Sequence, residues 1–172
     1  MMNAKNILRS TVAAMALMAS AGPVAADGAG VADSPKILEG TWAVVIHPYS
    51  CLTGGFLPTT INAYHTFTAG GTMVESTSGN TFQPGQRAPG LGFWERTGQR
   101  TYRAVFEAFV LFDTPSLAPP PQYKKGKQRF DQGIVIVDAD HWTSDALVTF
   151  TDSAGTVVPP SNCATVTAER MQ

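Results

Sequence analysis

Charge is scarce in this chain: 15% of its 172 residues are charged, and 12 Lys and Arg nearly balance 13 Asp and Glu. With those basic residues scattered, there is no electrostatic footprint for nucleic acid or an anionic membrane surface. Metal-binding patterns are missing too. His47, His65 and His141 stand far apart, and neither a C-x-x-C nor an H-x-x-x-H spacing occurs, so no metal site is expected. No G-x-S-x-G elbow, phosphate-binding loop or glycine-rich nucleotide fingerprint occurs, and no cofactor is called for. No apolar run reaches the ~20 residues of a membrane-spanning helix, so membrane insertion is not expected. From residue 38 onward no window carries a helical apolar stripe over ten or more residues, which removes βα architectures.

What is present is a core-forming composition, 44% hydrophobic and 9% aromatic, too apolar for disorder. The first residues carry Lys5 and Arg9, an apolar run from Thr11 to Ala21, and the small tripeptide Val24-Ala25-Ala26 before Asp27. These are the three parts of a secretory signal, with cleavage expected after Ala26. Its removal leaves 146 of the 172 residues, with 10 basic against 13 acidic side chains. The mature protein is expected to be soluble and either secreted or periplasmic. In that oxidising setting the two cysteines, Cys51 and Cys163, read as one disulfide. A closed loop of more than a hundred residues is worth roughly 4 to 5 kcal/mol in the chain-entropy model.

Residues 27–37 form a small-residue leader without periodicity, and the folded domain is expected over 38–172. Eight candidate strands follow: Gly40 to His47, Ile61 to Thr68, Gly71 to Thr77, Leu91 to Arg96, Thr101 to Phe112, Lys127 to Asp138, His141 to Thr151 and Cys163 to Arg170. Short connections such as Ala69-Gly70-Gly71 and Asp138-Ala139-Asp140 suit hairpins and leave no room for a crossover helix. The expected fold is therefore all-β, an eight-stranded antiparallel up-and-down barrel, whose closure removes exposed edges. A β-sandwich is the alternative, although its Greek-key crossings would not need such uniformly tight turns.

Gly40-Thr41-Trp42 at the start of the first strand resembles the G-x-W signature of lipocalins and related calycin barrels. The resemblance implies that Trp42 plugs the closed end of the barrel and that a basic residue of the last strand, here Arg170, lies across it. The second lipocalin motif is not recognisable, and no long C-terminal helix is expected after the last strand. The segments G-T-W, F-T-A-G-G-T, G-F-W and T-D-S-A-G-T also resemble a group of uncharacterised exported bacterial calycin-like proteins. Allene oxide cyclase-like barrels share the architecture, which implies that such an interior can host isomerase or cyclase chemistry, but architecture alone does not assign function.

Parity divides the fifth strand into one face with Tyr102, Ala104, Phe106, Ala108, Val110 and Phe112 and another with Arg103, Val105, Glu107, Phe109 and Leu111. Both faces are largely apolar, so parity does not choose the inner one. An apolar outer face would need covering, by a loop or by a second subunit in a homodimer. A twelve-residue strand would reach roughly 40 Å and is expected to bend or bulge. Glu107, among apolar neighbours, must be paired or have a raised pKa, with Arg96 and Arg129 as the expected partners. Tyr64 and His65 point to opposite faces of the second strand, so at most one lies inside. The expected ligand contacts are Tyr64, Trp94, Arg103, Glu107, Phe109 and Arg129, with Glu107 and Tyr64 the weak candidates for acid/base catalysis. Two long loops, Ser78 to Gly90 with Phe82 and Arg87, and Thr114 to Lys125 with Leu117, a Pro119-Pro120-Pro121 run and Tyr123, are expected to be stiff covers over the barrel mouth.

Three readings follow from the sequence. The leading one is an exported barrel that binds a small hydrophobic molecule, since an eight-stranded barrel has room for about one such ligand. The second is an isomerase or cyclase acting in the same cavity. The third is a structural or interaction protein with a filled barrel, recognisable by an interior packed solid.

Overall fold

The computed structural model describes residues 37–78, 82–115 and 123–172. The signal segment and nearly all of the leader lie outside these residues, as do Leu117 and the proline run. Eight strands form: β1 (Gly40–Ser50), β2 (Ile61–Phe67), β3 (Thr72–Thr77), β4 (Gly90–Arg96), β5 (Thr101–Val110), β6 (Gly126–Ile136), β7 (His141–Asp152) and β8 (Val157–Arg170). Each pairs antiparallel with the next, and β8 returns to β1 to close the barrel. No helix occurs among the described residues.

Alternation builds the wall. In β7 every second residue from Trp142 to Val148 is buried while the residues between them face solvent, as expected of a strand with one face on a core. The register sets Trp42 of β1 opposite His65 of β2 and Arg170 of β8, so the parity of the first strand fixes the inner face all round. On β5 the inner face is that of Tyr102, Ala104, Phe106, Ala108 and Val110.

Three strands differ most from the sequence expectation, and the first, β1, runs on to Ser50, three residues beyond His47. β5 ends at Val110 and keeps an unbroken register with β6, so its length needs no bulge. The irregularity lies instead between β7 and β8, where Val148 pairs with Asn162 but Phe150 pairs with Val158. Pro159 and Pro160 fall in that gap, where no ladder hydrogen bond requires their missing N–H groups. This lets β8 begin at Val157, six residues before Cys163, whereas prolines within a run argue against a strand when read from sequence alone.

All but one of the connections sort by end, the exception being the short β7–β8 turn at 153–156, which lies with the long segments. Tight turns at 68–71, 97–100 and 137–140 lie at the end where β1 starts, whereas the long segments 51–60, 78–89 and 111–125 all lie at the other. The end with tight turns is filled. Trp42 and Trp142 pack edge to face with ring centroids 6.1 Å apart, and Phe67, Tyr102, Ile134 and Ile136 are buried around them. Trp42 Nε1 donates to the Leu38 carbonyl at 2.9 Å. The Arg170 guanidinium lies 4.1 Å from the centre of the Trp42 ring and donates to the carbonyls of Glu39, Ile37 and Ala139. A cation over an indole face is attracted by the ring quadrupole, and here the same group satisfies carbonyls of the chain entering the barrel and of the β6–β7 turn.

At the opposite rim Cys51 and Cys163 form a disulfide that ties the end of β1 and its following loop to β8, which suits an oxidising environment.

Candidate functional site

The long loops surround a cavity of about 340 Å³ in the upper barrel. Its walls differ in kind. β1, the β1–β2 loop, β2 and β8 supply Ile46, Pro48, Leu57, Pro58, Ile61 and Ala164, while β5, β6, β7 and the two longest loops supply the rings of Phe106, Phe130, Phe150, Phe82 and Tyr123. Val148 lies on β7 beside this aromatic wall. Phe106 and Phe130 stack nearly parallel, 5.0 Å apart. Above them Tyr123 meets Phe82 at 5.0 Å and Phe150 at 5.2 Å, so the described parts of the two loops converge over the mouth.

Space for this wall comes from β4, which offers the interior glycine instead of side chains. A methyl added at Gly90 would lie 2.6 Å from the Phe106 ring and 2.7 Å from Glu75 Oε2, and one at Gly92 would overlap the Val105 carbonyl. Phe106 and Glu75 therefore occupy volume that any larger residue on β4 would claim.

Glu75 and Arg87 make the charged part of the site. β3 alternates so that Met73 and Glu75 point inward, and Glu75 is fully buried. The loop before β4 reverses at Gln83–Gln86 through Gly85, which has φ +81°. Arg87 then forms a bridge with Val110, which sends its side chain down into the mouth. Its Nη2 meets Glu75 Oε2 at 2.8 Å and its Nη1 meets Oε1 at 3.3 Å. Glu75 also accepts from the Gly90 N–H at 3.1 Å and from the Thr77 hydroxyl. Arg87 Nε donates to Gln128 Oε1 at 2.6 Å, and Nη1 also reaches the Ala88 carbonyl. With side-chain exposures of 7% and 0%, such a pair is tolerable only because hydrogen bonds satisfy the remaining atoms.

Below the cavity, His65 is completely buried and neither ring nitrogen has a hydrogen-bond partner. Its ring stacks on Trp142 and meets Phe106 edge to face. Burial, followed by the charge of Arg87, holds its pKa down at about 3, so the imidazole is neutral. Nearby in the interior, Ser144 donates to Gln132 at 2.8 Å.

The six residues expected to contact ligand lie elsewhere. Tyr64, Arg103, Glu107, Phe109 and Arg129 point outward, because their parity is opposite to that of the inward His65, Tyr102, Phe106 and Phe130. Trp94 is inward but sits at the filled end, where its ring packs on Phe67 and Tyr102 and its Nε1 donates to the Thr68 carbonyl. Glu107 is paired, not raised in pKa: Lys127 at 3.0 Å and Arg129 at 3.4 Å hold it below the usual carboxylate range, the Lys127 hydrogen bond first. Arg103 pairs with Asp131 at 2.7 Å, and Arg96 donates to the carbonyls of Gly98 and Gln99, not to Glu107. Leu91, Phe93, Phe109 and Leu111 lie exposed on the outer side of β4 and β5.

Sequence reasoning missed Glu75 altogether and saw Arg87 only as a loop residue. The readable signal was the alternation in Thr72–Thr77, which puts an acid in line with Met73; its partner twelve residues on could not be inferred.

No family model matches this chain. No curated protein matches it either. A solved structure does: that of EF1p2_mFAP2b bound to DFHBI, with 18% identity over 83% of this chain and 100% of that one, and a TM-score of 0.53. The likeness is one of fold. This chain's part in it is the closed eight-stranded antiparallel barrel.

Proposed function

We propose that this is an exported barrel protein that binds one small, mainly apolar molecule in the mouth cavity. The observation that carries this reading is a hollow of about 340 Å³ lined mostly by Ile, Leu, Pro and Phe side chains in a barrel whose other half is filled. Ligand sites of this kind are concave and apolar, with a few polar groups that fix orientation. Arg87, Gln128, Thr59, Thr77 and Asn162 are those groups here. The similar barrel of EF1p2_mFAP2b was solved with DFHBI bound, which supports ligand binding as a use of this architecture. Export rests on the N-terminal signal pattern, and the disulfide at the rim is consistent with it.

Native mass spectrometry of the protein purified from its own source tests the reading. A reproducible co-purified mass released on denaturation is expected. An empty protein that also takes up none of a panel of apolar dyes contradicts it.

A further inference from the structure

The mouth cavity also constrains the class of its occupant, an argument that rests on the binding reading above. We infer that the ligand is an uncharged, flat aromatic molecule of about two rings, not a fatty acid or another organic anion. Three observations converge on this.

The first is size. A cavity of about 150 Å³ holds one benzene ring, and this one measures about 340 Å³. The stacked Phe106 and Phe130 bound it below, and under them the barrel is filled by His65, Trp142 and Trp42. An extended acyl chain has no channel to descend.

The second is the unequal walls. Aromatic rings prefer offset or edge contacts with other rings, and five ring-bearing side chains cover one side: Phe82, Phe106, Tyr123, Phe130 and Phe150. A flat ligand can lie against this wall while its other face meets the aliphatic side formed by β1, β2 and β8.

The third is charge. Among the described residues that line the cavity, Arg87 is the only charged one, and Glu75 already neutralises it with two contacts. Of its three remaining N–H donors, Nε goes to Gln128 and one on Nη1 to the Ala88 carbonyl. An entering carboxylate would lose its hydration without gaining a cation, or would have to displace Glu75 and leave that acid buried and unpaired. A hydroxyl or carbonyl loses far less, and the amides of Gln128 and Asn162 can meet it.

Isothermal titration of the disulfide-intact protein at neutral pH, with 2-naphthol, 2-naphthoate and dodecanoate as probes, tests the inference. The expected result is binding of 2-naphthol at one site at least tenfold tighter than either anion. Equal or tighter binding of 2-naphthoate overturns the charge argument, and equal or tighter binding of dodecanoate overturns the shape argument. Either leaves the binding reading intact, whereas heat from none of the three together with an empty native mass spectrum removes both. Glu75→Gln leaves the Arg87 charge unmatched, and is expected to shift the naphthoate-to-naphthol preference at least tenfold toward the anion. An unchanged preference in folded variant protein overturns the role given to the pair. Should that variant not fold, the wild-type comparison decides the question alone.

Discussion

The two ends of this barrel use the same alternating strands to opposite effect. At the end with tight turns, inward positions carry Trp42, Trp142, Tyr102 and Phe67, and Arg170 caps the Trp42 ring while serving carbonyls of the entering chain and of the β6–β7 turn. At the other end the inward positions are Ile46, Ile61, Gln128, Val148 and Ala164, three of the four connections are long, and a hollow remains. The difference teaches that strand count alone does not decide whether a small barrel is hollow. It is decided by side-chain volume per layer, by the glycines of β4, and by what the loops bring back over the rim.

Truncation at each end should break this comparison most visibly. Trp42→Ala removes a fully buried ring and strands the cation above it, and is expected to cost about 3 to 5 kcal/mol in chemical denaturation. Phe150→Ala, at a half-buried ring facing the hollow, is expected to cost roughly 1 to 2 kcal/mol. Equal losses at the two sites would mean that the mouth is packed as tightly as the closed end.

A smaller effect comes from His65, at the boundary between the halves. Its folded pKa of about 3 lies below the ordinary value of 6.5, so between those pH values the unfolded chain binds the extra proton and stability falls as pH falls. Before ordinary carboxylates titrate, from pH 6.5 to about 4.5, this histidine alone is expected to cost roughly 2 kcal/mol. His141 acts in the opposite sense: Asp138 raises its pKa, so its contribution is present at low pH and is lost as pH rises through the folded value. His65→Leu should flatten the acid limb of a Tm-against-pH curve. Retention of the full slope would show that other groups control it.

The smallest effect is expected outside the barrel. Glu107→Gln, in a network with Lys127 and Arg129 whose side chains are about half exposed, should change stability by less than about 1 kcal/mol. It should leave binding of 2-naphthol unchanged. A tenfold loss of binding would return the acid to the site that its apolar neighbours had suggested.

These contrasts also show what the sequence made legible. Turn chemistry and alternation place β2, β3, β6 and β7 within about two residues, because an up-and-down sheet makes mostly local pairings, and the fold class follows from them. The inner face of β5 was not legible, since Val105, Phe109 and Leu111 make its outer side as apolar as its inner one. Only the register with β6 and, round the barrel, with β1 settles that face. The Glu75–Arg87 pair was hidden for a related reason: one partner sits in a strand and the other in a loop whose path depends on the bridge to Val110. Gly90 closes the Ser78 to Gly90 loop in the sequence reading and Gly92 falls inside a candidate strand, and their use in making room for Phe106 emerges only across the β4–β5 ladder.

The central claim, that one end is hollow and receptive while the other is solid, is tested most directly by methyl-resolved NMR during titration with 2-naphthol. The account predicts saturable shifts for Ile46, Leu57, Ile61 and Val148, with Leu38, Val44, Ile134 and Ile136 unmoved. Shifts concentrated at the closed end, or on the outer Val74 and Leu91, would contradict it.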